Sequence, residues 1–246
     1  MHSPSRLRHA LAALLWLCLT AGLVPGFSGT AQAQLNLRIG SGGAFQPMPI
    51  AVAPFFDAGG GAGMVARVQQ VLTDDLTGTG LFRTIANEAQ IAPPDSFEAP
   101  IAYEDWRAVN AEALVTGAVS VAGDVVTVRF RLYDVFSGQA LGDGMQFDAS
   151  TGNWRRAAHK AADQVYARLT GEGPYFDSRV AFVQERGPKD NRLKRIGIMD
   201  YDGANILWMT DSSSLVLAPQ FSRDGRRLVY TSFDSGFPQI RVLDIA

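Results

Sequence analysis

Two stretches near the end of the 246-residue chain read as one unit written twice. Aligning "RVAFVQERGPKDNRLKRIGIMDYDG" (residues 179–203) with "RLVYTSFDSGFPQIRVLDIA" (227–246) superposes "RVAFV" on "RLVYT" and "IGIMD" on "IRVLD", with loops of unequal length between. Each run is short and rich in β-branched and aromatic residues, so each reads as a strand. A strand pair that recurs after about 48 residues falls in the range of propeller blades. Between the pairs, "LVLAPQFSRDGRRLVY" supplies a strand, a Ser-x-Asp-Gly turn and another strand, and the Asp-Gly pair admits the positive φ that a tight turn demands. The repeat constrains the fold strongly, because such units cannot bury their apolar faces alone. Spacing alone leaves a generic β-hairpin domain as the alternative.

The preceding residues follow a different pattern. From Gln34 to about Thr170, strand-like and helix-like segments are mixed; "GEGPYFDS" then intervenes as a Gly/Pro-punctuated linker, and after Ser178 only strands and turns are legible. "PIAVAPFF" is a short apolar run bounded by proline, and "GMVARVQQVLTDDLTG" repeats Met64, Val68, Val71, Leu72 and Asp75/Leu76 at helical spacing. A strand "LFRTI", a Pro-rich loop (87–101) and a brief helix "YEDWRAVN" follow. Residues 113–150 read as a meander. Within it, Val126, Val128, Phe130 and Leu132 face one way and Thr127, Arg129, Arg131 and Tyr133 the other, as in a sheet with one dry face. A last helix, "NWRRAAHKAADQVYARLTG", carries Trp154, Ala158, Ala161, Val165 and Leu169 along one stripe that can cover that face. The expected fold is an α/β two-layer sandwich (34–170), a linker (171–177) and an all-β propeller portion (178–246).

The first 33 residues have the layout of a secretory signal peptide: Arg6 and Arg8, an apolar run from Ala10 to Val24, then Ala31-Gln32-Ala33 as a small-x-small cleavage site. The run is too short to span a bilayer comfortably. Cleavage would start the mature chain at Gln34 and remove Cys18, the only cysteine, so no disulfide or thiolate metal site is expected. It would also leave 20 basic against 24 acidic residues, an acidic balance that argues against nucleic acid. No later stretch is apolar enough to anchor the chain, so a soluble periplasmic protein without membrane insertion is expected.

Catalytic chemistry is sparsely represented. His159 is the single histidine outside the signal; beside Arg155, Arg156, Lys160 and Asp163 it reads as a solvated surface residue. Asp74 and Asp75 are adjacent in a helix, so their side chains diverge, and a solvated face is expected. "GSGGAF" (40–45) lacks the third glycine of a dinucleotide fingerprint; "GGGAG" (59–63) sits between strand and helix without the Gly-Lys-Ser/Thr of a phosphate loop, and reads as a flexible loop. "KDNRLKR" (189–195) reads either as a basic recognition patch or as a charged hairpin loop. No catalytic, cofactor or metal residues are assigned.

Taken in order, the Ala-x-Ala signal, "QLNLRIGSGGAFQPMPIAVAPF", the small α/β domain, "SRVAFV", "IGIMDYDGAN" and "APQFSRDGRRLVYTSF" resemble the TolB family, the periplasmic component of the Tol-Pal system. Family members usually have a Trp-Ser-Pro-Asp-Gly run where this chain has Phe221-Ser222-Arg223-Asp224-Gly225. The resemblance implies a six-bladed propeller, of which residues 178–246 would form about one and a half blades, so a truncated piece is expected. It implies a non-catalytic scaffold that binds the peptidoglycan-associated lipoprotein (Pal) through the propeller. A TolA-like inner-membrane protein would be bound through the mature N-terminal segment, Gln34, Leu35, Asn36, Leu37, Arg38 and Ile39. The alternation of Leu35, Leu37 and Ile39 suits addition to a partner's sheet edge, and suits equally a strand of the protein's own sheet. The rival from another class is the non-catalytic part of an exported propeller-containing serine hydrolase.

Overall fold

The computed structural model describes residues 45–245. Strand β1 (Met48–Val52) pairs in parallel with β3 (Phe82–Ile85) on one side and with β4 (Ala113–Ala122) on the other. The β4 strand turns at Gly123 (φ 59°) into the antiparallel β5 (Val125–Asp134), whose outer edge carries β6 (Gln139–Ala140) and β7 (Met145–Ser150). With β2 (Phe56–Asp57) parallel to the far end of β4, the sheet has seven strands.

Helices α1 (Ala62–Gly78) and α3 (Trp154–Thr170) pack against each other and against one face of this sheet. The alternation in β5 decides that face: Val126, Val128, Phe130 and Leu132 are fully buried, while Thr127, Arg129 and Arg131 are half-buried on the other. The stripe of α3 meets them as expected, with Trp154, Ala158, Ala161, Val165 and Leu169 all buried. The second face is drier than the alternation suggests. Helix α2 (Tyr103–Ala108) lays Trp106 over Ala51, Leu114, Tyr133 and Val135, so Tyr133, expected on the polar side, is buried. At Gly117 in β4 an added Cβ would stand 2.4 Å from the Phe55 ring, so only glycine lets that ring lie on the strand.

Helix α3 ends at Gly171, which takes the left-handed conformation and donates its N–H to Ala167. Beyond it, β8 (Arg179–Arg186), β9 (Leu193–Asp200) and β10 (Leu207–Trp208) form one three-stranded antiparallel sheet; β11 (Val216–Phe221), β12 (Arg227–Ser232) and β13 (Gln239–Asp244) form a second. These are propeller blade strands, and the aligned repeats coincide with β8/β9 and β12/β13. The two aspartate turns share one construction: Gly203 donates to Asp200 O and Gly225 to Ser222 O, both glycines at positive φ. The sheets meet through Ile196, Val216 and Leu228.

With only one blade and part of a second expected, Val180, Phe182, Ile196, Ile198, Leu228 and Tyr230 are expected to be only partly buried. Phe182 and Tyr230 are half-buried and Val180 is 36% exposed, but Ile196, Ile198 and Leu228 are buried. The physical reason is that β11 lies across β8 and β9, so each sheet closes part of the other's face. Among the described residues no helix is long and apolar enough to cross a membrane.

Candidate functional site

A polar cluster lies where α1, α3, residues 171–178 and the turn after β9 converge. It is built from a ladder on α3: Arg155, His159 and Asp163 recur every four residues and therefore share one face of the helix. That face looks into the junction, not into solvent, and His159 is only 1% exposed. Its Nδ1 lies 2.6 Å from Oδ2 of Asp75, which is buried in the last turns of α1. Burial pushes the Asp75 carboxyl up from its ordinary value, and the hydrogen bond and charge of His159 offset part of that shift. His159 Nε2 is buried without a hydrogen-bond partner and faces Oδ2 of Asp202 at 3.9 Å. Arg155 joins the same turn by pairing with Asp202 and, at 3.8 Å, with Asp200.

The third rung holds the connecting segment. Asp163 Oδ1 accepts the backbone N–H groups of Tyr175 and Phe176, both at 2.7 Å, and its Oδ2 accepts that of Asp177 at 3.1 Å. Arg156 reaches Asp177 at 3.0 Å. Phe176 is fully buried, packed edge-on against Tyr166 and Tyr201. Tyr175 lies between Tyr166 and Tyr201, and burial, followed by the Tyr201 hydroxyl, raises its own hydroxyl above the ordinary tyrosine value. Of the stretch expected as a linker, Gly171–Pro174 is exposed, but Tyr175–Asp177 is tied down.

Two expectations are corrected here. His159 is not a surface histidine, and Asp75 is not on a solvated face; only Asp74 is exposed, where it accepts a hydrogen bond from Gln70. Composition missed them because a polar residue's burial depends on its partner, and these partners are far apart in sequence. The available signal was the four-residue ladder itself.

The chemistry of this cluster is ion pairing. Asp75, His159 and Asp202 bring ligand atoms within 4.8 Å of one another, yet Asp75 is committed to Nδ1 and the Arg155 guanidinium sits on Asp202, so a metal cation would meet a fixed positive charge. An Asp–His pair also begins a catalytic triad, but Nε2 faces a carboxylate and not a nucleophile. Beside the cluster is a cleft of about 450 Å³ lined by Arg155, His159, Asp177, Arg179, Asp200 and Leu207.

The other sequence candidates are placed as follows. Gln34, Leu35, Asn36, Leu37, Arg38 and Ile39 lie outside the described residues, as do the signal segment and Gly40–Ala44. The 59–63 loop is packed, not loose: the Asp57 carboxylate accepts the N–H groups of Gly59 and Gly61, and added Cβ atoms at Gly60 and Gly61 would stand 2.6 and 2.7 Å from β4 carbonyl oxygens. A carboxylate thus fills the place a phosphate would need. Residues 187–192 are a hairpin loop between β8 and β9, and Glu185 pairs with both Arg192 and Lys194, reducing the patch's charge.

Comparison with known proteins agrees with this architecture. The TolB amino-terminal domain family matches residues 35–141 and the TolB beta propeller domain family matches residues 166–246. The Tol-Pal system protein TolB of Roseobacter denitrificans is 58% identical over 205 residues, covering 82% of this chain and 46% of the relative. The protein of that name from Cereibacter sphaeroides is 54% identical over 225 residues, covering 91% and 51%. The crystal structure of TolB from Acinetobacter baumannii superposes with a TM-score of 0.70 at 25% identity, covering 82% of this chain and 48% of that one. The chain spans about half the length of the curated relatives it matches. The rival reading as part of a serine hydrolase finds no support in these matches. With both domain families matched in order, relatives above 50% identity and a shared fold, the chain belongs to the TolB family.

Proposed function

We propose that the chain is a non-catalytic scaffold of the Tol-Pal system in the periplasm. It holds a TolA-like inner-membrane protein through Gln34–Ile39 and a Pal-like lipoprotein through the propeller, and so helps the outer membrane to stay intact and to constrict during division. Its relatives' shared name supports membership of the system. The geometric observation that carries the scaffold reading is the ion-paired junction: Arg155 pairs with Asp202 of the first propeller sheet's turn while Asp163 holds the connecting segment, which fixes the α/β domain against that sheet as an adaptor between two partners requires.

Deletion of residues 34–41 tests the assignment. The expected result is loss of capture by the TolA-like partner with an unchanged circular dichroism spectrum. Undiminished capture by the folded deletion variant refutes the assignment of that segment.

A further inference from the structure

We propose that His159 is a proton-operated latch: as the imidazolium it fastens the turn after β9 to the α/β domain, and as the neutral ring it releases that turn. The geometry is an imidazole held between two carboxylates that belong to different parts of the molecule. On one side Oδ2 of Asp75, from α1, lies 2.6 Å from Nδ1. On the other, Asp202, from the propeller turn, faces Nε2 at 3.9 Å. A neutral ring has one N–H and one lone pair; with Nδ1–H given to Asp75, the lone pair of Nε2 points at a carboxylate and the two repel. The protonated ring donates from both nitrogens, so Asp202 can close the remaining gap to hydrogen-bond distance. Nε2 is buried and unpartnered, an arrangement that leaves the second donor position waiting for a proton.

The surrounding charges favour the same answer. Around the ring on α3 itself stand Arg155, Arg156, Lys160 and Asp163. The Asp163 carboxylate is taken up by three backbone N–H groups, and Arg156 and Lys160 are turned to Asp177 of the connecting segment. From β8, Arg179 donates to Gly225 O and lies over Phe221, away from the ring. Tyr175, raised by burial, brings no charge at neutral pH. What faces the ring is then Asp75 from α1 and Asp202 from the turn, two carboxylates answered by the single guanidinium of Arg155. One further positive charge is what the cluster lacks, and the imidazolium form of the ring supplies it.

The predicted sign is that acidification tightens the junction. Arg155 remains charged throughout and keeps the turn tethered in both states, so the latch modulates the contact without severing it.

The test is amide hydrogen exchange of the whole chain at about pH 5.5 and about pH 8, corrected for intrinsic exchange rates, reading the amides of residues 200–205. In the unaltered protein their protection should rise roughly tenfold on acidification, a factor equal to one hydrogen bond to a charged group. In His159→Gln, which cannot take up a proton, the rise should vanish. If that variant fails to fold, Asp202→Asn decides: it alters a residue of the turn outside the α/β core, and it too should flatten the response. Protection that varies with pH equally in the unaltered protein and in Asp202→Asn overturns the latch, as does protection in the unaltered protein that is flat or falls on acidification.

Discussion

The α/β domain and the propeller sheets are built from similar apolar residues, yet they use them differently. In the α/β domain both helices and a strand face converge on one core, with Ile50, Leu72, Leu76, Phe130 and Leu132 fully buried. In the propeller region the shared core comes down to Ile196, Val216 and Leu228. Several of its other large apolar side chains face outward: Phe237 is 76% exposed and Ile240 71%. Elsewhere on these strands aromatic contacts stand in for depth, as where Phe182 meets Trp208 edge-on and Gly197 leaves room for both rings. A helix-covered sheet can complete its core within one stretch of chain, whereas a blade completes its core only through its neighbours. Local order is thus no guide to how much each region contributes to cohesion.

That contrast can be tested most bluntly by limited proteolysis. Cleavage should begin in the exposed stretch Gly171–Pro174, and the α/β fragment should outlive the released strands by a wide margin. Equal lifetimes would show that the two sheets are stable by themselves. Next in size, Phe130→Ala should cost about 3–5 kcal/mol in denaturant unfolding, the range for a buried aromatic in a closed core. Asp163→Ala, which takes the acceptor from three backbone N–H groups, should cost about 3 kcal/mol and speed cleavage after Gly171. Leu228→Ala should cost about 2 kcal/mol, the low end for leucine, because the small core around it can relax.

A pH experiment sharpens the comparison from inside the α/β core. The Asp75 carboxyl is raised by burial, so the native state holds its proton more tightly than the unfolded chain does. Its stabilising contribution is full below the ordinary value of 3.8 and is lost as pH climbs through the raised value. Against Asp75→Asn, the unaltered protein should therefore lose stability as pH rises above 3.8 and through the raised value, as followed by urea unfolding. A gap that widens in its favour would reverse the sign. The smallest effect is expected at Ile240→Ser, within about 0.5 kcal/mol, since that side chain is already mostly in water.

The same contrast explains what could be read from the residues alone. The period of two in β5 and the apolar stripe of α3 announce their burial locally, because apolar side chains are buried by whichever layer covers them. The doubled strand pair announced the blades for the same reason. The junction was illegible because its members are polar and their partners are remote: His159 and Asp75 are 84 positions apart, Arg155 and Asp202 47. Taken alone, each of these residues is an ordinary surface residue. Tyr133 was misplaced by the opposite error, since strict alternation cannot foresee that a six-residue helix will cover one end of the wetter face.

The grip of Asp163 on three consecutive amides has a consequence for how such a chain can evolve. One carboxylate reaches residues twelve, thirteen and fourteen positions onward, so the path from the helix to the first blade has a fixed length. Adding or deleting one residue between Gly171 and Pro174 would present the wrong amides to the carboxylate and rotate Phe176 out of its aromatic nest. Point substitutions at Glu172, Gly173 and Pro174 are cheap, but insertions and deletions are not, and Gly171 is held by its left-handed cap. Among descendants of this sequence the three residues after Gly171 should therefore drift freely in composition while their number stays constant, and two domains that look separable on paper would be inherited as a unit of fixed spacing.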